Sequence, residues 1–215
     1  MPAPIYNLKI LDLKSYLQYY SSESLLSDLS FFGSGKGSDE LYDFLQECRD
    51  EDGNRKENLI DFERKHLCRV YFVLADKVEN AADKCVLNLK EGAYPVYGYF
   101  SISVKTLYKN NIYDAQEILP PKNMNMYLIG HLCKNPSYGW DGGGEYMLQQ
   151  CFEIIESVHQ KIGMEYILIE CESALIDYYS NQNFEKIGEN TKNKLFQMVC
   201  KVAEAPQKNK KTPLN

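Results

Sequence analysis

The stretch DGGGEYMLQQCFEIIESVHQKIG, residues 141–163, constrains the fold of this chain more than any other segment. Three consecutive glycines stand directly before a run in which apolar residues recur with helical spacing. The i, i+3, i+4, i+7 pattern predicts an amphipathic helix over 144–161 that packs on a sheet and ends at Gly163. The apolar positions are Met147, Leu148, Cys151, Ile154, Ile155, Val158 and Ile162.

Apolar segments flank this helix on both sides. NMNMYLIGHLCK, residues 123–134, is bounded by polar residues in the way strands are. The run that ends in EYILIEC predicts a buried strand over 164–171. Strand, glycine loop, helix and strand in this order predict a βαβ unit with a parallel strand pair.

Upstream, two further segments favour strands and one favours a helix. HLCRVYFVLAD and YPVYGYFSISVKTLY are rich in Val, Tyr, Phe and Ile. SDELYDFLQECRD, residues 38–50, begins with a Ser38 cap and acidic residues and predicts a short amphipathic helix. No pattern assigns a role to residues 77–94.

Composition narrows the class of protein. A chain of 215 residues with 44% hydrophobic residues can bury a substantial core. No apolar run reaches the roughly 18 residues of a membrane helix and the N-terminus lacks the order of a signal peptide, which predicts a cytoplasmic protein without membrane contact. Seven scattered cysteines without a CxxC pair favour buried free thiols over disulfides or a metal site.

The negative net charge of the chain argues against an extended electrostatic interface with nucleic acid. The formal net charge is −6, and the only basic cluster, Lys208 to Lys211, lies in a terminal segment that has no means of forming a core. We predict one domain over residues 1–203 and a disordered basic tail over 204–215.

The glycines at the helix entrance admit two interpretations. The first backbone N–H groups of a helix have no internal partner, so a loop without Cβ atoms lets an anion such as phosphate approach them. Alternatively, DGGG is a flexible turn. No Lys-Ser or Lys-Thr follows the glycines and no G-x-G-x-x-G spacing is present, which disfavours triphosphate and dinucleotide loops.

Three stretches resemble the GNAT family of acyl-CoA N-acyltransferases. LIGHLCKNPSYGWDGGGEYML is similar to the family's strand, Q/R-x-x-G-x-G/A loop and helix, and ALIDYYSNQNFEKIGE to its late helix and turn, with Phe184 as the closing phenylalanine. SDELYDFLQE with RVYFVLAD and VYGYFSISV resembles the branch that includes acetyltransferase toxins of toxin–antitoxin systems, which modify aminoacyl-tRNA. Asn183 replaces the usual glycine of the late turn, and asparagine tolerates a left-handed conformation.

The resemblance implies a mixed α/β fold with a mostly antiparallel sheet of six to seven strands, flanked by helices. Splayed strands would form the acetyl-CoA cleft. It also implies acetyl-CoA as the cosubstrate, held by strand backbone, by the glycine loop and by the family's tyrosine. The implied cofactor-binding residues are Leu132, Cys133, Lys134, Gly139, Trp140, Asp141, Gly142, Gly143, Gly144, Glu145 and Tyr179.

The implied chemistry is acetyl transfer to a primary amine, with Tyr179 giving a proton or hydrogen bond to the leaving thiolate. Candidate bases for the amine are Glu170, Glu172 and His131, and bulk water is a further candidate. The aromatic strand VYGYFSI is either core or an acceptor pocket, and Trp140 either packs the loop or flanks the adenine.

Two functions stay open at this point. The first is an acetyl-CoA-dependent N-acetyltransferase whose acceptor is a small molecule, a protein or an aminoacyl-tRNA. The second is a catalytically degenerate GNAT-like binding module, favoured by the departures from the motif at Gly139, Trp140 and Asp141. The sequence leaves both a monomer and a homodimer open.

Overall fold

The computed structural model describes residues 5–19, 21, 22, 25, 52–78, 96–108, 123–135, 141–190 and 193–206. Contacts divide the chain into two compact units. Unit 1 contains residues 1–101 and 131–147, and unit 2 contains residues 102–130 and 148–215.

A sheet of seven strands is the dominant element. Its strand order is β1-β2-β3-β4-β5-β7-β6. The strands are β1 (Ile5–Asp12), β2 (Arg69–Val78), β3 (Val96–Leu107), β4 (Met124–Lys134), β5 (Tyr166–Cys171), β6 (Glu185–Asn190) and β7 (Leu195–Lys201). The described helices are α1 (Leu13–Tyr16), α2 (Leu59–Arg64), α3 (Gly143–His159) and α4 (Ile176–Ser180), with 3-10 turns at Ser173–Leu175 and Val202–Glu204.

The predicted mixed α/β fold with a mostly antiparallel sheet is confirmed. β1–β2, β5–β7 and β6–β7 are antiparallel, and β4–β5 is the parallel pair that the βαβ prediction requires. The predicted helix over 38–50 lies outside the described residues, as do residues 79–94 of the unassigned connection. The single-domain prediction stays a prediction, and the tail is described only as far as residue 206.

Unit 1 is built on the antiparallel pair β1–β2. Tyr16 of α1 packs against Phe72 of β2, with ring centroids 5.4 Å apart, in a core of fully buried aliphatic and aromatic side chains. Helix α2 begins with a capping box, because the Asn58 side chain accepts from the backbone N–H of Asp61 while the Asp61 carboxylate accepts from Asn58. This cap fixes the start of a helix that has only six residues.

Unit 2 is built on strands β5, β7 and β6. β5 and β6 each pair with β7 in antiparallel orientation. In the β5–β7 pair, Glu170 lies opposite Gln197 and Leu168 lies opposite Val199. One face carries an apolar cluster that includes Met126, Leu168 and Val199. Because residues two apart in a strand share a face, Glu170 lies on the same face as Leu168.

The part of α3 in unit 2 differs in two ways from the sequence prediction. The helix ends at His159, two residues earlier than predicted, and its C-terminal turn closes with bonds from Lys161 and Ile162 to the Val158 carbonyl. Ile162 was predicted on the buried face and that is wrong, since it lies beyond the helix and is 60% exposed. The pattern also missed Phe152, which is buried and stacks on Phe184 at 6.1 Å.

Two further observations concern the described part of the chain. Five cysteines are free thiols, of which Cys151, Cys171 and Cys200 are buried. No helix among the described residues is long and apolar enough to cross a membrane. The cytoplasmic location stays a prediction.

Candidate functional site

In unit 1, the end of β4 is fixed to β3 by a buried asparagine. Asn135 donates its backbone N–H to the Tyr97 carbonyl at 2.8 Å and its side-chain Nδ2 to the Val96 carbonyl at 2.9 Å. Its side chain is 3% exposed. Both bonds hold the last residue before the glycine loop at a set place on the sheet.

The direction of the Asn135 bond decides which backbone groups of β4 face away from β3. N–H and C=O groups of successive strand residues point to opposite edges. His131 also directs its N–H toward β3, to Ser101 Oγ at 3.1 Å. The backbone N–H and C=O groups of Cys133 therefore point to β3, while those of Leu132 and Lys134 point to the opposite edge of β4.

The start of α3 depends on a glycine conformation. Gly142 has φ +75, and its carbonyl accepts the Tyr146 N–H at 2.9 Å, so it is the residue that caps the helix. Nothing lies within 4 Å of a Cβ built at Gly142, so this position requires glycine for its backbone angle and not for space. Gly143 is buried as the first helical residue, one position earlier than predicted.

Backbone N–H groups at this helix start have no partner inside the helix. They belong to Gly143, Gly144 and Glu145. The side chains of Asp141 and Glu145 are exposed, and so is that of Lys134 at the end of β4. Neither described carboxylate is buried in the helix entrance, and Gly139 and Trp140 lie outside the described residues.

A second glycine, which the sequence analysis did not single out, sets the contact between β3 and the start of α3. A Cβ built on Gly98 would stand 2.6 Å from Met147 Sδ and 2.9 Å from the Cys133 carbonyl oxygen. A larger residue at Gly98 would therefore press on the β4 backbone at Cys133, while the flexible Met147 side chain could move aside. A glycine inside a strand was the available signal, since such glycines often mark a close approach.

The pair Ser101 and His131 in unit 1 has a defined hydrogen-bond direction. Ser101 Oγ lies 3.0 Å from His131 Nδ1 and already accepts the His131 backbone N–H. Ser101 is 3% exposed, so its hydroxyl proton needs an acceptor, and Nδ1 is that acceptor. His131 therefore carries its proton on Nε2, and burial lowers its pKa to about 4, which keeps the ring neutral at pH 7.

In unit 2, Tyr179 lies in the short helix α4 and is 5% exposed. Its ring meets that of Phe184 edge-on at 5.8 Å and that of Tyr178 at 5.0 Å. Burial raises the pKa of Tyr179 well above its usual value, so the phenol keeps its proton at neutral pH. Asn183 has φ +65, which confirms the left-handed turn expected for it.

Glu170 of unit 2 is the centre of a polar group of side chains. Its Oε1 atom accepts from Lys105 Nζ at 2.7 Å, from Gln197 Nε2 at 2.8 Å and from Asn190 Nδ2 at 3.0 Å. Burial alone would raise the pKa of Glu170, but these bonds and the charge of Lys105 outweigh burial and lower it. A carboxylate with a lowered pKa is a weak base, which counts against a base role for Glu170. Glu172 is exposed and caps no helix through its side chain.

The predicted residues of unit 1 that the structure describes lie at the end of β4 and at the start of α3, and a Cβ built on Gly98 would approach Cys133 of the strand and Met147 of the helix. The predicted catalytic residues Tyr179 and Glu170 both lie in unit 2. The sequence did not predict the side chains that hydrogen-bond to Glu170, to His131 or to the β3 backbone beside the end of β4. No sequence signal marks these residues, which are Ser101, Lys105, Asn135, Asn190 and Gln197.

Neither a protein-family model nor a curated protein matches the sequence. Solved structures do match. A tyrosine-to-phenylalanine mutant of KacT aligns with a TM-score of 0.61 and 13% identity, covering 91% of this chain and 95% of KacT. AtaTR bound with AcCoA aligns with a TM-score of 0.58 and 14% identity, covering 92% of this chain and 94% of that chain.

A further match is AtaT complexed with acetyl-methionyl-tRNAfMet, with a TM-score of 0.57 and 17% identity over 88% of this chain and 94% of AtaT. The alignments cover nearly all of this chain and of each matched chain, so the likeness extends over the whole fold and not over one motif. The chain therefore has the GNAT-like fold of the acetyltransferase toxins that the sequence resembles.

Proposed function

We propose that this chain is an acetyl-CoA-dependent N-acetyltransferase that acts on a primary amine. The observation that carries the proposal is the start of α3, where Gly142 turns at φ +75 and leaves the first helical amides bare of bulky side chains. Such amides at the positive end of a helix dipole suit a diphosphate. The AtaTR structure of the same fold contains AcCoA, which supports acetyl-CoA as the ligand.

Backbone groups of β4 would hold the pantetheine arm. The β4–β5 ladder runs from Tyr127 opposite Ile167 to Ile129 opposite Ile169, five residues before the end of β4. The amides and carbonyls of Leu132 and Lys134 point away from β3, so they are suited to pair with the two amides of pantetheine. The backbone groups of Cys133 point to β3, so Cys133 would contact the pantetheine arm only through its side chain.

Charges near the helix start reduce affinity only moderately. Asp141 and Glu145 are exposed, so solvent screens their repulsion of a diphosphate to on the order of 1 kcal/mol each. Lys134 is exposed at the end of β4 and supplies a positive charge near the loop. Gly139 and Trp140 complete the loop in this proposal.

The proposed acetyl transfer requires few protein groups. The neutral amine nitrogen attacks the thioester carbonyl carbon, the C–S bond breaks, and the acetyl group remains on nitrogen. The amine loses one proton to water. The CoA thiolate accepts a hydrogen bond from the Tyr179 hydroxyl and takes its own proton from water, so Tyr179 stays protonated throughout. Tyr179 suits this role because burial keeps it protonated, and a tyrosine is the residue replaced in the KacT structure.

The acceptor class that we propose is an amine close to an ester, as in an aminoacyl-tRNA. AtaT was solved with acetyl-methionyl-tRNAfMet, the product of such a transfer, and the fold is the same. Small-molecule and protein amines remain the alternatives to be tested beside it.

The test has a binding part and a turnover part. Acetyl-CoA should raise the melting temperature of the purified chain, because it binds only the folded state, and ATP serves as the control for unspecific anion binding. Labelled acetyl transfer should then be followed with aminoacyl-tRNA and simple amines. No shift at millimolar acetyl-CoA would instead favour the degenerate binding module.

Tyr179→Phe should lower turnover by about 100-fold while acetyl-CoA binding changes little. Tyr178→Phe is the matched control, since it removes a hydroxyl from the adjacent tyrosine of the same helix. Equal turnover of the two variants would remove Tyr179 from the mechanism.

A further inference from the structure

The last part of β4 is attached to β3 at both of its ends. We call residues 131–135 the terminal segment of β4. It begins at His131, contains Leu132 and Lys134, and ends at Asn135, one residue past the strand. The whole segment belongs to unit 1, as do residues 96–101 of β3. Hydrogen bonds that involve side chains hold each end.

At the far end, Asn135 donates to two successive carbonyls of β3. Its backbone N–H bonds to Tyr97 at 2.8 Å, and its side-chain Nδ2 bonds to Val96 at 2.9 Å. Asn135 and Val96 are both buried. Loss of the side-chain amide would therefore remove a donor from a carbonyl that solvent reaches poorly, which is costly.

At the near end, Ser101 and His131 bond to each other twice. Ser101 Oγ accepts the His131 backbone N–H at 3.1 Å, and the Ser101 hydroxyl donates to His131 Nδ1 at 3.0 Å. The acceptor of this backbone N–H is thus a side chain. A bond of this kind depends on the residue type at position 101, whereas a bond between two backbone groups does not.

Between its two ends, the terminal segment of β4 lies close against β3. A Cβ built on Gly98 would stand 2.9 Å from the Cys133 carbonyl oxygen, which is closer than side chains normally come to a backbone atom. The missing side chain at Gly98 therefore lets the middle of the segment approach the neighbouring strand. The segment is thus supported by β3 along its length.

We propose that Asn135 and the Ser101–His131 pair are positioning residues for acetyl-CoA. This inference rests on the proposed function and names the side chains that prepare the backbone for the pantetheine arm. The backbone groups of Leu132 and Lys134 point away from β3, and they can pair with the two amides of pantetheine only while the segment keeps its strand conformation. The positioning residues act through that backbone.

Such support matters because the end of a strand opens more easily than its middle. If the terminal segment opens in the free protein, the ligand must supply the free energy of ordering it, and that amount is subtracted from binding. The apparent affinity is then reduced by the fraction of molecules in which the segment is ordered. The buried bonds of Asn135 and Ser101 keep that fraction high.

The first test compares two ligands that differ only in the pantetheine arm. CoA is used without an acetyl group, so that no turnover occurs, and 3′-phospho-ADP is CoA without its pantetheine. Both are titrated by calorimetry into the whole chain, as wild type and as Asn135→Ala. We expect the variant to bind CoA about tenfold more weakly and to change its affinity for 3′-phospho-ADP by less than about twofold.

Asn190→Ala is the matched control for the loss of one side-chain amide. Asn190 donates to Glu170 at 3.0 Å in unit 2, so this substitution changes no residue of unit 1. It should leave the preference for CoA over 3′-phospho-ADP unaltered. If Asn135→Ala weakens both ligands equally, or weakens neither, Asn135 only supports the fold and the proposal is wrong. Ser101→Ala repeats the comparison at the other end of the segment.

The second test needs no ligand and asks whether the two ends hold one segment. In Ser101→Ala, the backbone N–H of Asn135 at the opposite end should exchange with solvent about tenfold faster than in the wild type. The Phe62 N–H, which bonds to the Asn58 carbonyl at 3.0 Å in α2, is the reference for global opening of unit 1. An equal rise at both N–H groups, or none at Asn135, would overturn the proposal.

A kinetic readout separates this inference from the proposed function. In Asn135→Ala, KM for acetyl-CoA should rise about tenfold while kcat falls by less than about twofold, because the lost binding is shared by the ground state and the transition state. If the wild type binds CoA no more tightly than 3′-phospho-ADP, or transfers no acetyl group, the proposed function falls and the positioning role falls with it. If the wild type does both and Asn135→Ala keeps the preference for CoA, only the positioning role falls.

Discussion

Two glutamates with little exposed side chain, one in each unit, differ in how their oxygens are used. Glu63 of unit 1 engages both: Oε1 accepts from Arg69 Nη1, and Oε2 accepts the Val70 backbone N–H at 2.9 Å. Oε1 of Glu170 in unit 2 accepts from three donors, and its Oε2 accepts from none of the residues that the structure describes. Side-chain exposure is similar, 8% for Glu63 and 14% for Glu170.

Glu63 joins two elements through both of its oxygens, whereas Glu170 gathers its three side-chain donors on one oxygen. Glu63 links α2 to the start of β2, and every acceptor position it needs is filled by the chain itself. Glu170 is held by three donors on Oε1, while among the described residues none donates to Oε2. Burial alone would not distinguish the two residues, whereas the count of donors on each oxygen does.

The largest effect that we expect is on the stability of a Glu63 variant, and it tests the comparison of the two glutamates. Glu63→Gln should lower the free energy of unfolding by about 3 kcal/mol. The amide must direct its NH2 group either at the Arg69 guanidinium or at the Val70 N–H, so one donor loses its partner. Urea denaturation would measure the loss. A loss below about 1 kcal/mol would mean that complete pairing does not mark a structural carboxylate.

The next effect concerns His131, a half-buried titratable group whose hydrogen bond to Ser101 lies within unit 1. Its folded pKa of about 4 is below the reference value, so folding favours the neutral ring. The resulting stability is fully present above the unfolded pKa of about 6.5 and is lost as pH falls toward 4.

His131→Asn keeps an acceptor for the Ser101 hydroxyl but does not titrate. Between pH 7 and pH 4, wild type should therefore lose on the order of 2 kcal/mol more than the variant, after allowance for solvent screening. Denaturation curves of both proteins at several pH values would measure this. Parallel curves would show that His131 titrates normally and that its burial is not complete enough to matter.

How much of this could be predicted from the sequence depends on the range of the interactions. The βαβ unit was predictable because periodicity and glycine placement are local properties, and β4, α3 and β5 lie within three residues of their expected bounds. The left-handed turn at Asn183 was predictable for the same reason. Ile162 was misplaced because the helical pattern continues past the point where the backbone turns.

The group of polar side chains around Glu170 could not be predicted from the sequence. Lys105 and Glu170 are 65 residues apart, and Gln197 is 27 residues further along the chain. Only the strand order β5-β7-β6 and the register that sets Glu170 opposite Gln197 bring them together. The sequence marked Glu170 as a carboxylate near the end of a buried strand, but the donor count that argues against a base role requires coordinates.

The smallest expected effect is on the stability of Glu170→Gln, and it is the most direct way to break the comparison. The glutamine carbonyl can take the place of Oε1 and accept from Lys105, Gln197 and Asn190. Its NH2 group takes the place of Oε2, to which no described residue donates. Stability should fall by only about 0.5 kcal/mol, because the lost ion pair involves a partly exposed Lys105. The same substitution is conservative at both glutamates, so the ratio of the two losses tests the donor count itself. If Glu170→Gln destabilises the fold as much as Glu63→Gln, then a donor does approach Oε2, and Glu170 is as fully committed to structure as Glu63.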